Sequence, residues 1–301
     1  MKRLHGDVIK KLRENRGLSQ VQLAEGLTTQ SALSKFENNG EDISANLLLA
    51  YLKKLDIHLS EYFSFIENDD VTEKYKIKRL SGSNPRNIAE MQRIVDLNKA
   101  HYQKTGDASA WRLAIVAQAV YYYVNNLDLS EMADEISSLK AYLGSLGRWY
   151  LSDIALFTSV MFAFDQEFIW LTKNQIIHAL AVMPFSRAQR YELQYAYGNN
   201  ATRLSIERGN LVDARFFLEF LENIRTNEVK SLPAAVAARG YALLIQVLER
   251  PQVTDAVKPL QRVIGTYREF GFRDEYDDWV EFINKVAPFV KFNDKDDNIL
   301  E

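Results

Sequence analysis

Cysteine is absent from this chain of 301 residues, and glycine and proline occur only 13 and 6 times. Without cysteine the chain cannot form a disulfide, a thiolate zinc site, an iron–sulfur cluster or a thiolate nucleophile. The scarcity of turn-forming residues argues against an all-β sandwich and favours an all-α fold. The sequence also has no uncharged apolar run of about 18 residues, the length of a transmembrane helix, and its charged N-terminus has no signal-peptide core. We therefore expect a cytoplasmic protein with no membrane partner.

Charge is unevenly distributed along the chain, although the net charge is only −3 at pH 7. Residues 1–40 contain seven basic and four acidic side chains, so this segment carries +3 and the remainder carries −6. A basic head on an acidic body is typical of a small DNA-binding domain attached to a larger domain.

Hydrophobic spacing predicts a compact N-terminal domain over residues 1–66. Apolar side chains recur there at helical intervals, in short segments separated by tight turns, which indicates about five helices. The polar residues 67–84 are the best candidate for a linker. Alternatively, Tyr75, Ile77 and Leu80 extend the last helix of this domain.

Residues 85–301 show one helical segment after another, and several segments begin with a capping pattern. These patterns are Asn84–Pro85, Asp128 with Glu131, Thr172 with Gln175, Ser186 with Gln189, Asn210 and Ser231. Every second predicted start follows after roughly 40 residues, the period of helix pairs in an α-solenoid. The segment therefore predicts a tetratricopeptide-like (TPR-like) repeat domain, with an irregular helical domain as the alternative. We expect the acidic tail after Phe292 to be frayed.

The segment over residues 12–40 has the order helix, tight turn, helix. Ala24 supplies the small residue that lets two such helices cross closely. Ser19 is a candidate N-cap for the first helix, and Thr28 or Thr29 is a candidate for the second. We expect the two helices to share a core formed by Leu23, Leu27, Leu33 and Phe36. This order predicts a helix-turn-helix, whose second helix enters the major groove of DNA.

Candidate DNA contacts are polar side chains on these two helices. Hydroxyl and amide groups near the start of the second helix can bond base edges in the major groove, and they belong to Thr29, Gln30, Ser31 and Ser34. Gln20 lies at the first turn of the preceding helix, where it can reach a phosphate. Lys35 and Arg13 suit phosphates or guanine. Glu37 is predicted to be structural, as a hydrogen-bond acceptor or as the partner of Arg13 or Arg16.

This segment resembles the helix-turn-helix of the xenobiotic-response-element (XRE) and phage-repressor regulators. The residues SALSKFENNGEDISANLLLAYLKKLDIHLSEYF resemble more closely the Rgg/GadR/MutR regulators of lactic-acid bacteria and streptococci. The matching positions are Ser31, Leu33, Ser34, Lys35, Phe36, Glu37, Ile43, Ser44, Leu47, Leu55, Ile57, Glu61 and Phe63. The chain departs from the family pattern at Asn38–Asn39–Gly40, where E-R-G is usual. It also has Ala45 where some relatives have a cysteine, so the resemblance implies no redox-linked dimer bond at this position.

The resemblance continues more loosely through residues 147–167 and 194–214. It implies a dimeric transcription regulator that binds double-stranded DNA and a short hydrophobic signalling peptide, the latter on the concave face of the repeat domain. Amides, hydroxyls, aromatic rings and arginines suit such a peptide, and the candidates are Arg148, Ser152, Ser159, Tyr197, Asn199, Asn200, Arg203 and Tyr241. Alternatively, Arg148 is a solvated surface residue, Tyr197 belongs to the core and Asn200 bonds an inter-helix turn.

Two other classes of function stay open at this point. In one, the repeat domain is a protein–protein adaptor and the helix-turn-helix is an interaction module. In the other, the chain is an enzyme with a regulatory head, but it has no Walker loop, GxGxxG or GxSxG motif. The four histidines are isolated and show no metal-binding spacing, so no metal and no cofactor are expected. We predict a sequence-specific regulator gated by a peptide.

Overall fold

A computed structural model of the chain describes residues 5–67, 87–182, 187–227, 231–252 and 254–292. The regular structure of these residues is helical and includes no strand, which confirms the all-α prediction. The chain divides into two compact units, residues 1–118 and 119–301. The predicted linker lies outside the described residues except for its first residue, as do the caps at Asn84 and Ser186 and the tail after Phe292. The domain limits at residues 66 and 85 therefore stay predictions.

The first unit begins with five short helices that share one core. It continues with a longer helix and the first part of the next, in the order α1 His5–Asn15, α2 Gln20–Ala24, α3 Gln30–Asn39, α4 Ala45–Leu55, α5 Leu59–Glu67, α6 Ile88–Thr105 and α7 Ala108–Val124. Leu23, Ala24, Leu33 and Phe36 are buried in the core of α1–α5, as expected for a helix-turn-helix. Leu27 was expected there too, but it is 36% exposed. It lies in the turn after α2, beside Gly26, which has a positive φ of 75°.

The second unit consists of helices that pack mainly on their neighbours along the chain, which is the packing of a helical repeat domain. They are α8 Ala133–Gly144, α9 Leu151–Val160, α10 Gln166–Val182, α11 Arg187–Glu207, α12 Leu211–Asn227, α13 Leu232–Glu249, α14 Val257–Glu269 and α15 Arg273–Val286. Each helix from α11 to α15 contacts the next one. The helix α11 also contacts α9, α10, α13 and α15, so its side chains meet most of the unit.

The helix α13 is long and apolar enough to cross a membrane by length and composition. Of its 18 residues, 56% are buried inside the structure, because the helix packs between α12 and α14. A single apolar helix that is buried in this way is explained by its place in the helical core.

Side chains cap several helix starts, among them those of α2, α3, α4 and α6. Ser231 precedes α13 as predicted, but its side chain makes no capping hydrogen bond. Asn210 caps α12 by accepting a hydrogen bond from the backbone three residues later, as predicted. The start predicted at Thr172 is wrong, because α10 begins at Gln166 and Thr172 lies inside it. Asp165 is the cap there, and it accepts a hydrogen bond of 2.8 Å from the backbone N–H of Phe168.

Candidate functional sites

The surface predicted to meet DNA lies at the start of α3. Thr29 accepts a hydrogen bond of 3.1 Å from the backbone N–H of Ala32, so Thr29 and not Thr28 is the N-cap. Ser19 caps α2 in a reciprocal capping box with Gln22. The predicted contacts on α3 have accessible side chains: Thr29, Gln30, Ser31 and Lys35 are exposed, and Ser34 is half-buried.

Arg13 and Glu37 form an ion pair inside the head. The Nε and Nη2 atoms of Arg13 donate to the two oxygens of Glu37 at 2.7 and 2.8 Å, and Nη1 donates to the carbonyl of Leu18 at 2.8 Å. The two side chains are only 8% and 0% exposed. Hydrogen bonds to Glu37 hold the pKa of Arg13 above its usual value. This geometry confirms the pairing predicted for Glu37 and does not support the phosphate or guanine contact predicted for Arg13.

A chain of amide hydrogen bonds connects this buried pair to the surface of α3. Gln20 donates from Nε2 to Glu37 at 2.9 Å, and Gln30 donates from Nε2 to the Oε1 of Gln20 at 2.7 Å. Gln20 is therefore not an isolated side chain at the start of α2. It holds Gln30 at the front of the head and is itself held by a buried carboxylate.

The second unit contains a pocket of about 360 Å³ beside α11. Four predicted peptide contacts line it: Ser159, Asn199, Asn200 and Arg203. Other side chains that the sequence did not indicate also line it, and they are Tyr123, Thr158, Met161, Phe162, Leu204, Glu207 and Asp278. Tyr123 stacks on Phe162 with ring centroids 4.1 Å apart, which forms an aromatic wall.

The charged groups of the pocket are paired with one another. Arg203 makes a bidentate ion pair with Asp278 of α15, in which Nη2 donates to Oδ1 at 3.1 Å. Glu207 lies 3.6 Å from Arg203, accepts from Lys285 at 3.3 Å and accepts from Tyr123 at 3.4 Å. Burial works to lower the pKa of Arg203, but the hydrogen bond to Asp278 and the charge interactions with Tyr241, Asp278 and Glu207 together outweigh it, and the pKa is raised. For Tyr123, burial raises the hydroxyl pKa to about 12.

Amide and hydroxyl groups supply the uncharged polar groups of the pocket. Asn200 donates to the carbonyl of Thr158 at 3.2 Å, and Asn199 accepts from the hydroxyl of Tyr241 at 3.1 Å. Thr158 is only 6% exposed, and its hydroxyl has no hydrogen-bond partner among the residues that the structure describes. Buried hydroxyls inside helices normally bond the carbonyl one turn earlier, as Thr202 does at 2.7 Å. Thr158 therefore places a buried hydroxyl with unfilled bonding capacity beside the pocket.

The other predicted peptide contacts lie elsewhere. Arg148 and Ser152 are exposed and are not among the residues that line the pocket, and Arg148 stacks over the ring of Tyr150. Tyr197 is fully buried among phenylalanines, which favours the alternative in which it belongs to the core. Tyr241 is 1% exposed, so it meets the pocket only through its bond to Asn199. Burial raises the pKa of both tyrosine hydroxyls. The described residues contain no cluster of histidine and carboxylate side chains that could hold a metal ion.

Comparison with known proteins identifies the class of this fold. A helix-turn-helix family model matches residues 9–62, and these residues contain α2 and α3 with their caps. The chain thus has a DNA-binding helix-turn-helix, a domain of transcription regulators and not of enzymes. A second model, the C-terminal domain of the HTH-type transcriptional regulator Rgg, matches residues 95–275. This match extends over more than half of the chain, so the chain belongs to the Rgg family.

Solved structures share this architecture along nearly their whole length. A candidate transcriptional regulator from Listeria monocytogenes EGD-e is 19% identical, with a TM-score of 0.76 over 95% of this chain and 99% of that one. The SHP pheromone receptor Rgg2 of Streptococcus dysgalactiae is 18% identical, with a TM-score of 0.70 over 93% and 99%. PrgX in complex with cCF10 is 18% identical, with a TM-score of 0.69 over 96% and 94%. At these identities the likeness shows a common fold.

Proposed function

We propose that this chain is a homodimeric, sequence-specific regulator that acts in the cytoplasm and whose DNA binding is gated by a short hydrophobic peptide. Two heads would bind two half-sites about one DNA turn apart. The peptide would occupy the pocket beside α11 and shift the relation between the heads. Rgg2 is a pheromone receptor by name and PrgX is seen in complex with cCF10, so a receptor role is compatible with this fold.

The buried carboxylate of Glu37 determines which atoms Gln30 presents to DNA. A carboxylate only accepts hydrogen bonds, so it turns the amide N–H₂ of Gln20 inward and the carbonyl of Gln20 toward Gln30. Gln30 donates one amide hydrogen to that carbonyl. It thereby keeps its own carbonyl oxygen and its second amide hydrogen for the major groove. An acceptor beside a donor fits N6 and N7 of adenine.

Two substitutions distinguish base recognition by α3 from phosphate binding by α3. Gln30→Ala should relax base preference in sites selected from a random duplex library by the full-length protein, with little change on random DNA. Lys35→Ala should weaken binding to all sequences and reduce the slope of log K against log salt by about one unit. Lys258→Ala, an exposed lysine of α14, is the control and should leave both quantities unchanged. Equal loss of specific and random binding in Gln30→Ala would remove Gln30 from base recognition.

The unfilled hydroxyl of Thr158 is the observation that carries the peptide-binding half of the proposal. A buried polar group without a partner costs about 1–3 kcal/mol, so a site that contains one gains affinity when a ligand supplies the bond. Beside it, the amides of Asn199 and Asn200 can donate to and accept from a peptide backbone. The stacked rings of Tyr123 and Phe162 add an apolar wall for a hydrophobic side chain.

Native mass spectrometry of the protein purified from its native host tests this proposal directly. We expect a mass near twice 34.7 kDa with an adduct of about 1 kDa per chain, the mass of a short peptide. Thr158→Val keeps the shape of the side chain and should reduce adduct occupancy without loss of folding. Ser152→Ala removes a hydroxyl from an exposed position of α9 and should leave occupancy unchanged. A dimer without adduct under every growth condition would contradict gating by a peptide, and a monomer would contradict the two-half-site arrangement.

A further inference from the structure

The ion pair between Arg203 and Asp278 joins two helices that are far apart in sequence. Arg203 belongs to α11 and Asp278 to α15, and both line the pocket. The guanidinium also lies 4.5 Å from the ring centroid of Phe282, on the same helix as Asp278. The pair therefore fastens α15 to the pocket.

Arg203 and Asp278 differ in how easily each side chain can leave the ion pair. The side chain of Arg203 is 25% exposed, whereas that of Asp278 is 57% exposed. An exposed carboxylate that swings away regains water, so its release costs little. A half-buried guanidinium that loses Asp278 stays in place beside the aromatic ring and Glu207, where water replaces the missing bonds less completely. Asp278 is thus the partner that can exchange.

The ion pair between Arg203 and Asp278 admits an incoming anion more easily than an incoming cation. An incoming cation would have to draw Asp278 away from Arg203 and then remain next to the guanidinium, which repels it. An incoming carboxylate takes the two hydrogen bonds that Asp278 releases, in the bidentate geometry that a guanidinium favours. The nearby charge of Glu207 opposes an anion only weakly, because Lys285 and Tyr123 already bond it.

We infer that Asp278 occupies the place of a ligand carboxylate, and that the peptide enters with its free C-terminal carboxylate on Arg203 and displaces Asp278. This inference rests on the proposed peptide receptor, and it specifies which end of the peptide is recognised. It also assigns a structural consequence to binding. The exchange removes one of the ion pairs that join α15 to α11 and leaves the pair between Lys285 and Glu207, so ligand binding loosens α15.

Hydrogen–deuterium exchange of the free, full-length protein tests the fastening of α15. Asp278→Asn weakens the pair, and the amides of α15 should exchange several times faster than in the wild type. Asp277→Asn makes the same chemical change at an exposed position one residue earlier and is the matched control. Equal exchange of α15 in the two variants would overturn the inference.

A pair of peptide pools tests the ligand class. One pool contains hexapeptides of Ile, Leu, Val, Phe and Ala in random order with free C-terminal carboxylates, and the other contains the same peptides as C-terminal amides. We expect wild-type protein to retain the acid pool about tenfold over the amide pool, the effect of one charged hydrogen-bonding group. Asp278→Asn removes the internal competitor and should raise retention of the acid pool. Arg203→Met should abolish the preference for the acid pool.

The outcomes distinguish this inference from the function on which it rests. Equal retention of both pools by the wild type would overturn the carboxylate exchange and leave a peptide receptor in place. Lower retention of the acid pool by Asp278→Asn would show that Asp278 assists the ligand and would also overturn the exchange. Retention of neither pool by the wild type would contradict the peptide receptor and the exchange together.

Discussion

The substitution Glu37→Gln tests whether the ion pair inside the head is structural. Glu37 is fully buried and accepts three hydrogen bonds of 2.7–2.9 Å, two from Arg13 and one from Gln20. A glutamine keeps the shape but carries no charge, and its N–H₂ group must face a donor. Removal of one partner from a buried ion pair costs about 3–5 kcal/mol. This loss is a large part of the total free energy of unfolding of an ordinary domain, which is about 5–15 kcal/mol.

Hydrogen exchange of the full-length protein measures this loss locally. A loss of about 3 kcal/mol corresponds to roughly a hundredfold faster exchange through opening of the head, read on peptides from α1 and α3. Glu14→Gln is the matched control, since Glu14 also contacts Arg13, at 3.4 Å, but its side chain is 55% exposed. We expect this control to lose less than about 0.5 kcal/mol of stability. Exchange in Glu37→Gln within about threefold of the wild type, or equal to that of Glu14→Gln, would refute the reasoning.

A double variant separates the loss of charge from the loss of packing. Replacement of a buried ion pair by apolar residues of similar volume is often neutral for stability. Arg13→Met with Glu37→Met should therefore be more stable than Glu37→Met alone, in which the guanidinium stays buried without its partner. Base preference should nevertheless decline in the double variant, because Gln20 and Gln30 lose the carboxylate that orients them. A double variant less stable than Glu37→Met would contradict this account.

Two further predictions concern helix packing and capping. Gly6→Ala places a Cβ 1.9 Å from the backbone oxygen of Phe36, so we expect the head to lose more than about 3 kcal/mol in hydrogen exchange, at the upper end of overpacking costs. The added methyl group of Gly265→Ala in α14 meets open space, so this control should stabilise the protein by about 0.5–1 kcal/mol. A similar loss of stability in both variants would argue against the close approach of α1 and α3. Asp165→Ala removes the cap of α10 and should cost about 1 kcal/mol at pH 7. The hydrogen bond from Lys140 holds the pKa of Asp165 below its ordinary value of 3.8, so this carboxylate stabilises the fold above that value. The advantage of the wild type over Asp165→Ala should shrink as the pH falls through the lowered pKa, and a constant difference in urea denaturation between pH 7 and pH 2 would be inconsistent with a charged cap.

Local patterns in the sequence predicted the helices well because the forces that start and end a helix act within one turn. The spacing of apolar side chains and the caps at Ser19, Thr29 and Asn210 are such local signals. The error at Thr172 has the same origin. A threonine followed by a glutamine three residues later looks like a capping box, yet a threonine inside a helix can bond the carbonyl one turn earlier, as Thr172 does at 2.8 Å.

The pocket was only partly predictable, because its members come from several helices. Asn199, Asn200 and Arg203 lie close together on α11, and their residue types suggested a peptide site. Asp278 lies 75 residues after Arg203, and only the packing of α15 on α11 brings it there. No sequence pattern that we recognise connects them.

A second residue that the sequence prediction omitted lies on α9, directly beside one that it included. Ser159 was predicted, whereas its neighbour Thr158 was not. Both line the pocket, but the hydroxyl of Ser159 donates to the carbonyl of Ala155 at 2.8 Å, while that of Thr158 has no partner among the described residues. The choice between them depends on the rotation of α9 against its neighbours, which the sequence alone does not determine.

Each of the two proposed sites contains an arginine held by both oxygens of a carboxylate, and exposure decides what each pair does. Glu37 has no exposed surface and Asp278 is 57% exposed. The same change of acid to amide should cost about 3–5 kcal/mol at Glu37 and less than about 1 kcal/mol at Asp278. A buried pair is therefore suited to fix the orientation of Gln20 and Gln30 permanently. An exposed pair is suited to open when a ligand supplies a better partner, so the head holds a fixed arrangement and the pocket an exchangeable one.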